Sequence, residues 1–205
     1  MTREISYYEF VGLLVPSVIL LFFTNYLINF HCGIQFFNYE TIGESLIFLI
    51  LAYGVGHFLH ALGNIFEKLV WWSTNGRPTN WLTRKQRFYK DLFDKKDTQE
   101  CKDLIDKDFA LIEGKDYGSL IYIKLFDLKK TERIDLFNAN YSLYRSLCIA
   151  LLILTIEAIV FGNKIAIIIS ALLFILALLR MIRFGKYYAL ELYRTYINSS
   201  KKVTP

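Results

Sequence analysis

Residues 145–181 read RSLCIALLILTIEAIVFGNKIAIIISALLFILALLRM, and this stretch decides the fold. Two apolar runs, 145–161 and 164–181, are separated only by Gly162 and Asn163, which predicts a tight helical hairpin. A helix crossing the hydrocarbon core, about 30 Å thick, needs about 20 mostly apolar residues at about 1.5 Å each. Upstream, residues 10–30 and 45–66 meet the same requirement. Pro16 lies inside the first of these, where neighbouring helices can satisfy the carbonyl it frees. The chain therefore reads as an all-α membrane protein with about four transmembrane helices. The competing reading, a soluble helical protein, would have to bury four such runs in one 205-residue chain. That exceeds what a single soluble core needs.

Composition agrees. The chain is 54% hydrophobic and 17% aromatic, with a mean hydropathy of +0.32, and soluble domains run near 45–50% apolar. The net charge of +5 is too small for packaging duplex DNA but suits an anionic leaflet. Cys32, Cys101 and Cys148 are far apart and form no CxxC, so they carry neither a metal signature nor a disulfide framework. Residues 1–9 carry Arg3 with Glu4 and Glu9, and no small-residue cleavage site follows the apolar run. The run 10–30 reads as a retained helix, with a signal anchor as the alternative.

Lys and Arg set the expected orientation. Residues 31–44 hold neither, which places them outside. Residues 67–140 hold 15 Lys and Arg from Lys68 to Arg133 against 13 Asp and Glu from Glu67 to Asp135. The tail holds Arg180, Arg183, Lys186, Arg194, Lys201 and Lys202. A multi-pass protein of a bacterial inner membrane follows, with both termini cytoplasmic. The expected organisation is a transmembrane hairpin over 1–66, a small helical cytoplasmic domain over 67–140 and a second hairpin over 141–183. An interfacial helix, or one packing on the soluble domain, and a disordered tail complete it over 184–205. Within the insert, 84–97 reads as an amphipathic helix with Phe88, Leu92 and Phe93 on one face. Residues 98–112 read as a second, with Leu104, Ile105, Phe109 and Ile112 inward. Residues 120–128 are apolar but of open type, and Thr131 is a candidate N-cap for a helix running into the third span.

Few residues suggest chemistry. His57 and His60 lie at i and i+3, so they are expected to share a face that Asn64 and Glu67 extend. Two imidazoles and a carboxylate suggest zinc, but helical zinc motifs place histidines four apart and need another ligand. The alternatives are polar packing between helices or a pore-lining stripe. No metal or other cofactor is expected. Glu157 is the one acid within a span, four residues from its end; it either lines a pore or snorkels. Trp71, Trp72 and Trp81, followed by Arg84, Lys85 and Arg87, read as an interfacial belt beside headgroups. With Arg77 they also read as a patch that stacks on bases and holds phosphates. No Walker, Rossmann, GxSxG or kinase pattern occurs, which moves weight away from an enzyme.

The segments YGVGHFLHALGN (53–64) and RFGKYYALELYR (183–194) resemble the membrane subunit of Hailong-type anti-phage defence systems. The resemblance implies a homo-oligomeric ion channel governed by an oligonucleotide that a partner nucleotidyltransferase makes. The expected function is thus a ligand-gated, channel-like effector. Its pore or gate would use Glu157, Asn138 and Asn140, or else His57 and His60. Its nucleotide or oligonucleotide ligand would meet Arg77, Arg84, Lys85, Arg87, Trp71, Trp72 and Trp81. The rivals are a membrane enzyme using His57 and His60, or a non-conducting scaffold.

Overall fold

A computed structural model describes residues 7–37, 41–73, 76–83, 94–110, 112 and 115–201, the first four by backbone alone. Its elements are α1 (Tyr7–Cys32), α2 (Ile42–Trp72), a single 3-10 turn (Pro78–Asn80), α3 (Lys95–Phe109), α4 (Gly118–Asp127), α5 (Glu132–Val160) and α6 (Lys164–Lys201). No strand occurs among the described residues. Four helices, α1, α2, α5 and α6, are long and apolar enough to cross a membrane. The chain divides into two compact units: 1–67 with 139–181, and 68–138 with 182–205.

The first unit differs from a water-soluble core in filling much of its interior with small residues, beside Leu59 and Met181, while leaving many large apolar side chains outside. Its most buried positions include Ser17, Ala52, Ser146, Ala150 and Ala158, all 0% exposed, while Ile50, Phe58, Ile165 and Ile168 are 68% exposed or more. Small residues inside and branched apolar residues outside are what helix packing in lipid selects, since lipid supplies no reason to hide the apolar surface. Gly56 shows how close the helices come. A Cβ there would sit 2.5 Å from the Leu13 carbonyl oxygen of α1. Between α5 and α6, Thr155 donates to Ser170 Oγ at 2.9 Å. The hairpin forms where the sequence predicts it: Gly162 has φ +67°, a left-handed turn that suits glycine, and Asn163 Oδ1 accepts from the Ala166 amide as α6 begins.

The second unit has an ordinary apolar core. Cys101 and Ile105 of α3, Ile121 and Leu125 of α4, Ile134 of α5 and Leu192, Tyr193, Tyr196 and Ile197 of α6 pack around Tyr117 and Leu82. Tyrosine hydroxyls satisfy backbone groups at its edges. Tyr117 accepts from the Ile112 amide at 2.6 Å and donates to the Ala110 carbonyl at 3.0 Å. Tyr193 donates to the Thr79 carbonyl. Burial pushes the Cys101 thiol up to about 12, with Glu100 adding to the effect. Burial and the neighbouring Asp135 carboxylate push the Tyr122 phenol up to about 12.

Four sequence expectations need correction. The fourth apolar run and residues 184–197 are one helix, because no proline or capping glycine interrupts 164–201. That helix also includes Ser199, Ser200 and Lys201, which the sequence reading assigns to a disordered tail. The expected break near residue 97 falls inside α3, and Phe88, Leu92 and Phe93 lie outside the described residues. Ile112 is 57% exposed rather than inward, since α3 ends at Phe109 and Ala110 turns the chain with φ +56°. Residues 120–128, open in type from sequence, fall largely within α4. The helix after Thr131 is α5, and the Asp135 amide bonds the Thr131 carbonyl at 2.8 Å.

Candidate functional site

The first unit buries one ionic cluster, and it forms because α2 carries polar residues on a single stripe. Gly56, His60, Gly63 and Glu67 are spaced four, three and four apart, which keeps them on one helix face. α5 answers with Ser142, Arg145 and Ser146. An Arg145 nitrogen donates to Glu67 in a direct ion pair, with side chains 10% and 5% exposed. Gly63 makes room for it, since a Cβ there would lie 3.1 Å from Arg145 Cγ. The guanidinium also sits 5.7 Å from the Tyr141 ring centre, a cation–π distance.

The same guanidinium settles the state of His60. Arg145 Nη2 lies 3.1 Å from His60 Nε2, and a guanidinium only donates. Nε2 must therefore carry a lone pair. The ring proton sits on Nδ1, which donates to Ser142 Oγ at 3.2 Å. Neutral imidazole, arginine and carboxylate thus form a chain of compatible donors and acceptors. A second proton on His60 would remove the acceptor that Arg145 uses and set two cations face to face. Arg145 Nε and Ser146 Oγ are buried without a hydrogen-bond partner among the described residues. Buried donors and hydroxyls left unmatched are costly, so the cluster is a place where a small rearrangement has something to gain.

His57 does not join it. The expectation that His57 and His60 share a face fails because Gly56, Gly63 and Glu67 all lie to one side of His60 around the helix, while His57 lies about 60° to the other side at 3.6 residues per turn. The boundary of the packed face runs between them. His57 is exposed and set edge-on to the Tyr53 ring at 4.8 Å. Asn64 is exposed as well, whereas Glu67 is buried. Among the described residues, no group of three or more His, Cys, Asp or Glu side chains is placed to hold a metal.

Glu157 is half-buried and accepts a hydrogen bond from Thr24 Oγ1 of α1 at 2.8 Å. Its carboxylate is held to a neighbouring helix. Asn138 is exposed and Asn140 half-buried, both on α5. In the second unit, Trp71 and Trp81 are 2% and 6% exposed and pack edge to face at 5.9 Å. The Trp81 indole N–H donates to the Gly76 carbonyl at 2.9 Å, and Lys186 lies 5.8 Å from its ring centre. Their faces serve this packing instead of lying open to a base. Trp72 is 82% exposed, as is fitting for a ring at a membrane boundary. Arg77 is exposed. Arg84, Lys85 and Arg87 lie outside the described residues.

Sequence reasoning passes over Arg145 because it opens an apolar run and reads as a flanking charge. The signal available was its opposite sign to Glu67, at the matching end of another span. No protein-family model, no curated protein and no solved structure matches the chain.

Proposed function

We propose that the chain is a channel-like membrane effector that works as a homo-oligomer, with the cluster around Arg145 as its gate latch. The observation that carries this reading is the buried Arg145–Glu67 pair joined to neutral His60. Ionisable groups within spans are expensive, and they mark ion paths, proton relays and gates. Here the charges sit on α2 and α5, which carry the second and third apolar runs, where the sequence places the candidate pore or gate residues. Four helices packed through small side chains leave little room for an ion path inside one chain, which favours a pore between copies. Glu157, held by Thr24, is the acid that would face cations in such a pore.

The proposed setting is a bacterial inner membrane, with the basic residues 67–140 and the tail in the cytoplasm. The proposed signal is a nucleotide or oligonucleotide supplied by a partner nucleotidyltransferase, and anti-phage defence is the role that the resemblance suggests. Its contacts would come from Arg77, Arg84, Lys85 and Arg87, with exposed Trp72. Recording from planar bilayers tests the proposal. Purified protein should pass discrete currents, and Arg145→Met or Glu67→Gln should change open probability by tenfold or more. Silence across voltages and nucleotide ligands, in wild type and both variants, would favour a non-conducting scaffold.

A further inference from the structure

The first unit contains a cavity of about 790 Å³ between α1, α5 and α6, at the end where α5 turns into α6. Its walls are apolar, among them Ile19, Phe23, Leu154, Ile169 and Leu173, and its rim carries His31, Asn163 and Lys164. None of its lining residues is Asp or Glu. We infer that this cleft holds one anionic phospholipid of the bilayer, with an acyl chain inside and the phosphate at Lys164 and His31.

Three observations select that occupant. The first is depth. From His31 to Ile19 the cleft follows α1 for about 18 Å, and from Lys164 to Leu173 it follows α6 for about 14 Å, at about 1.5 Å per residue. Both helices begin that descent at the same rim. A single leaflet contributes about half of a hydrocarbon core of about 30 Å, so the cleft is as deep as one layer of acyl chains. The second is charge. Lys164 and His31 are exposed at the rim, and a lysine beside headgroups attracts an anionic lipid. The third is the floor. Ser170 Oγ is turned back to the Ala166 carbonyl at 2.7 Å and accepts from Thr155 Oγ1 at 2.9 Å, so this lining hydroxyl is already engaged within the protein. Asn163 Oδ1 is engaged with the Ala166 amide, so the phosphate meets Lys164 and the His31 ring rather than the amide oxygen.

Native mass spectrometry of the full chain released from nanodiscs of equal phosphatidylglycerol and phosphatidylcholine tests this. Wild type should retain phosphatidylglycerol about fivefold more than phosphatidylcholine, the preference expected of one lysine near the headgroup. Lys164→Ala should remove that preference. Ala166→Phe, which narrows the cleft, should abolish retention of both lipids. Ile169→Trp is the second filling variant, and a thermal melt close to wild type qualifies whichever variant is used. Equal retention of the two lipids by wild type would overturn the inference, as would a preference unaltered by Lys164→Ala or retention unaltered by filling the cleft. A disulfide between copies carrying Ile169→Cys would also overturn it, because a second chain would then occupy the cleft.

Discussion

Removing Arg145 should be the most damaging single change in the first unit, and removing its partner as well should repair most of the damage. Arg145→Met takes the Arg145 partner from the Glu67 carboxylate, 5% exposed, and the donor from His60 Nε2. Breaking a buried pair from one side costs about 3–5 kcal/mol. For a chain of this length each kcal/mol moves the melting temperature by about 2–4 °C, so the fall should be roughly 6–20 °C. In Arg145→Met with Glu67→Leu the buried charge is gone from both helices. Such replacements are neutral to stabilising by about 1–4 kcal/mol, so the melt should return to near the wild-type value or above it. The assay is a fluorogenic maleimide melt in nanodiscs in a background carrying Cys32→Ser and Cys101→Ala, which leaves Cys148 as the thiol that is read. Cys148 of α5 is 0% exposed and reacts only when the helices part. A single variant within 2 °C of wild type, or a double variant less stable than the single, would refute the claim that the cluster is one bonded unit.

Other consequences follow from the same packing. Gly56→Ala should destabilise by about 1–3 kcal/mol through overpacking, because its Cβ meets backbone at 2.5 Å, whereas Gly54→Ala, with nothing within 4 Å, should leave the same maleimide melt unchanged. Glu157→Gln should reduce cation over anion selectivity in reversal-potential measurements; unchanged selectivity would remove Glu157 from the pore. In the second unit, burial raises the Asp108 carboxyl, but hydrogen bonds from Lys124 and Tyr196 with the charges of Lys124 and Lys107 outweigh it and leave the group lowered. A lowered carboxyl contributes stability above its unfolded value of about 3.9, and that stability is lost as pH falls through its folded value. Maleimide labelling of Cys101 after acid pulses should rise below about pH 4, and Asp108→Asn should flatten that rise.

The four helices long and apolar enough to cross a membrane are legible in the sequence because each is a long uninterrupted apolar run, and membrane energetics act on run length more than on detail. The α5–α6 turn is legible for the same reason, marked by Gly162 and Asn163. What escapes is pairing between helices. Arg145 and Glu67 are 78 positions apart, and only packing brings them together. Trp71 and Trp81 read as belt residues, yet the turn that buries them depends on Gly76, whose φ of +115° is open to glycine, and on the Trp81 indole bond to its carbonyl. The continuation of α6 is hidden by Arg180, Arg183 and Lys186, which look like the end of a span. Charges mark where lipid ends; they do not end a helix whose propensity and apolar period persist into Leu192 and Tyr196.

Labelling intact cells with a membrane-impermeant maleimide tests directly where the membrane lies. Native Cys32, exposed at the end of α1, should label from outside. Ser119→Cys, at an exposed position of α4, in a Cys32→Ser background should label only after lysis. Labelling of Ser119→Cys in intact cells would place the second unit on the wrong side. Recovery of the protein in the soluble fraction without detergent would remove the membrane altogether.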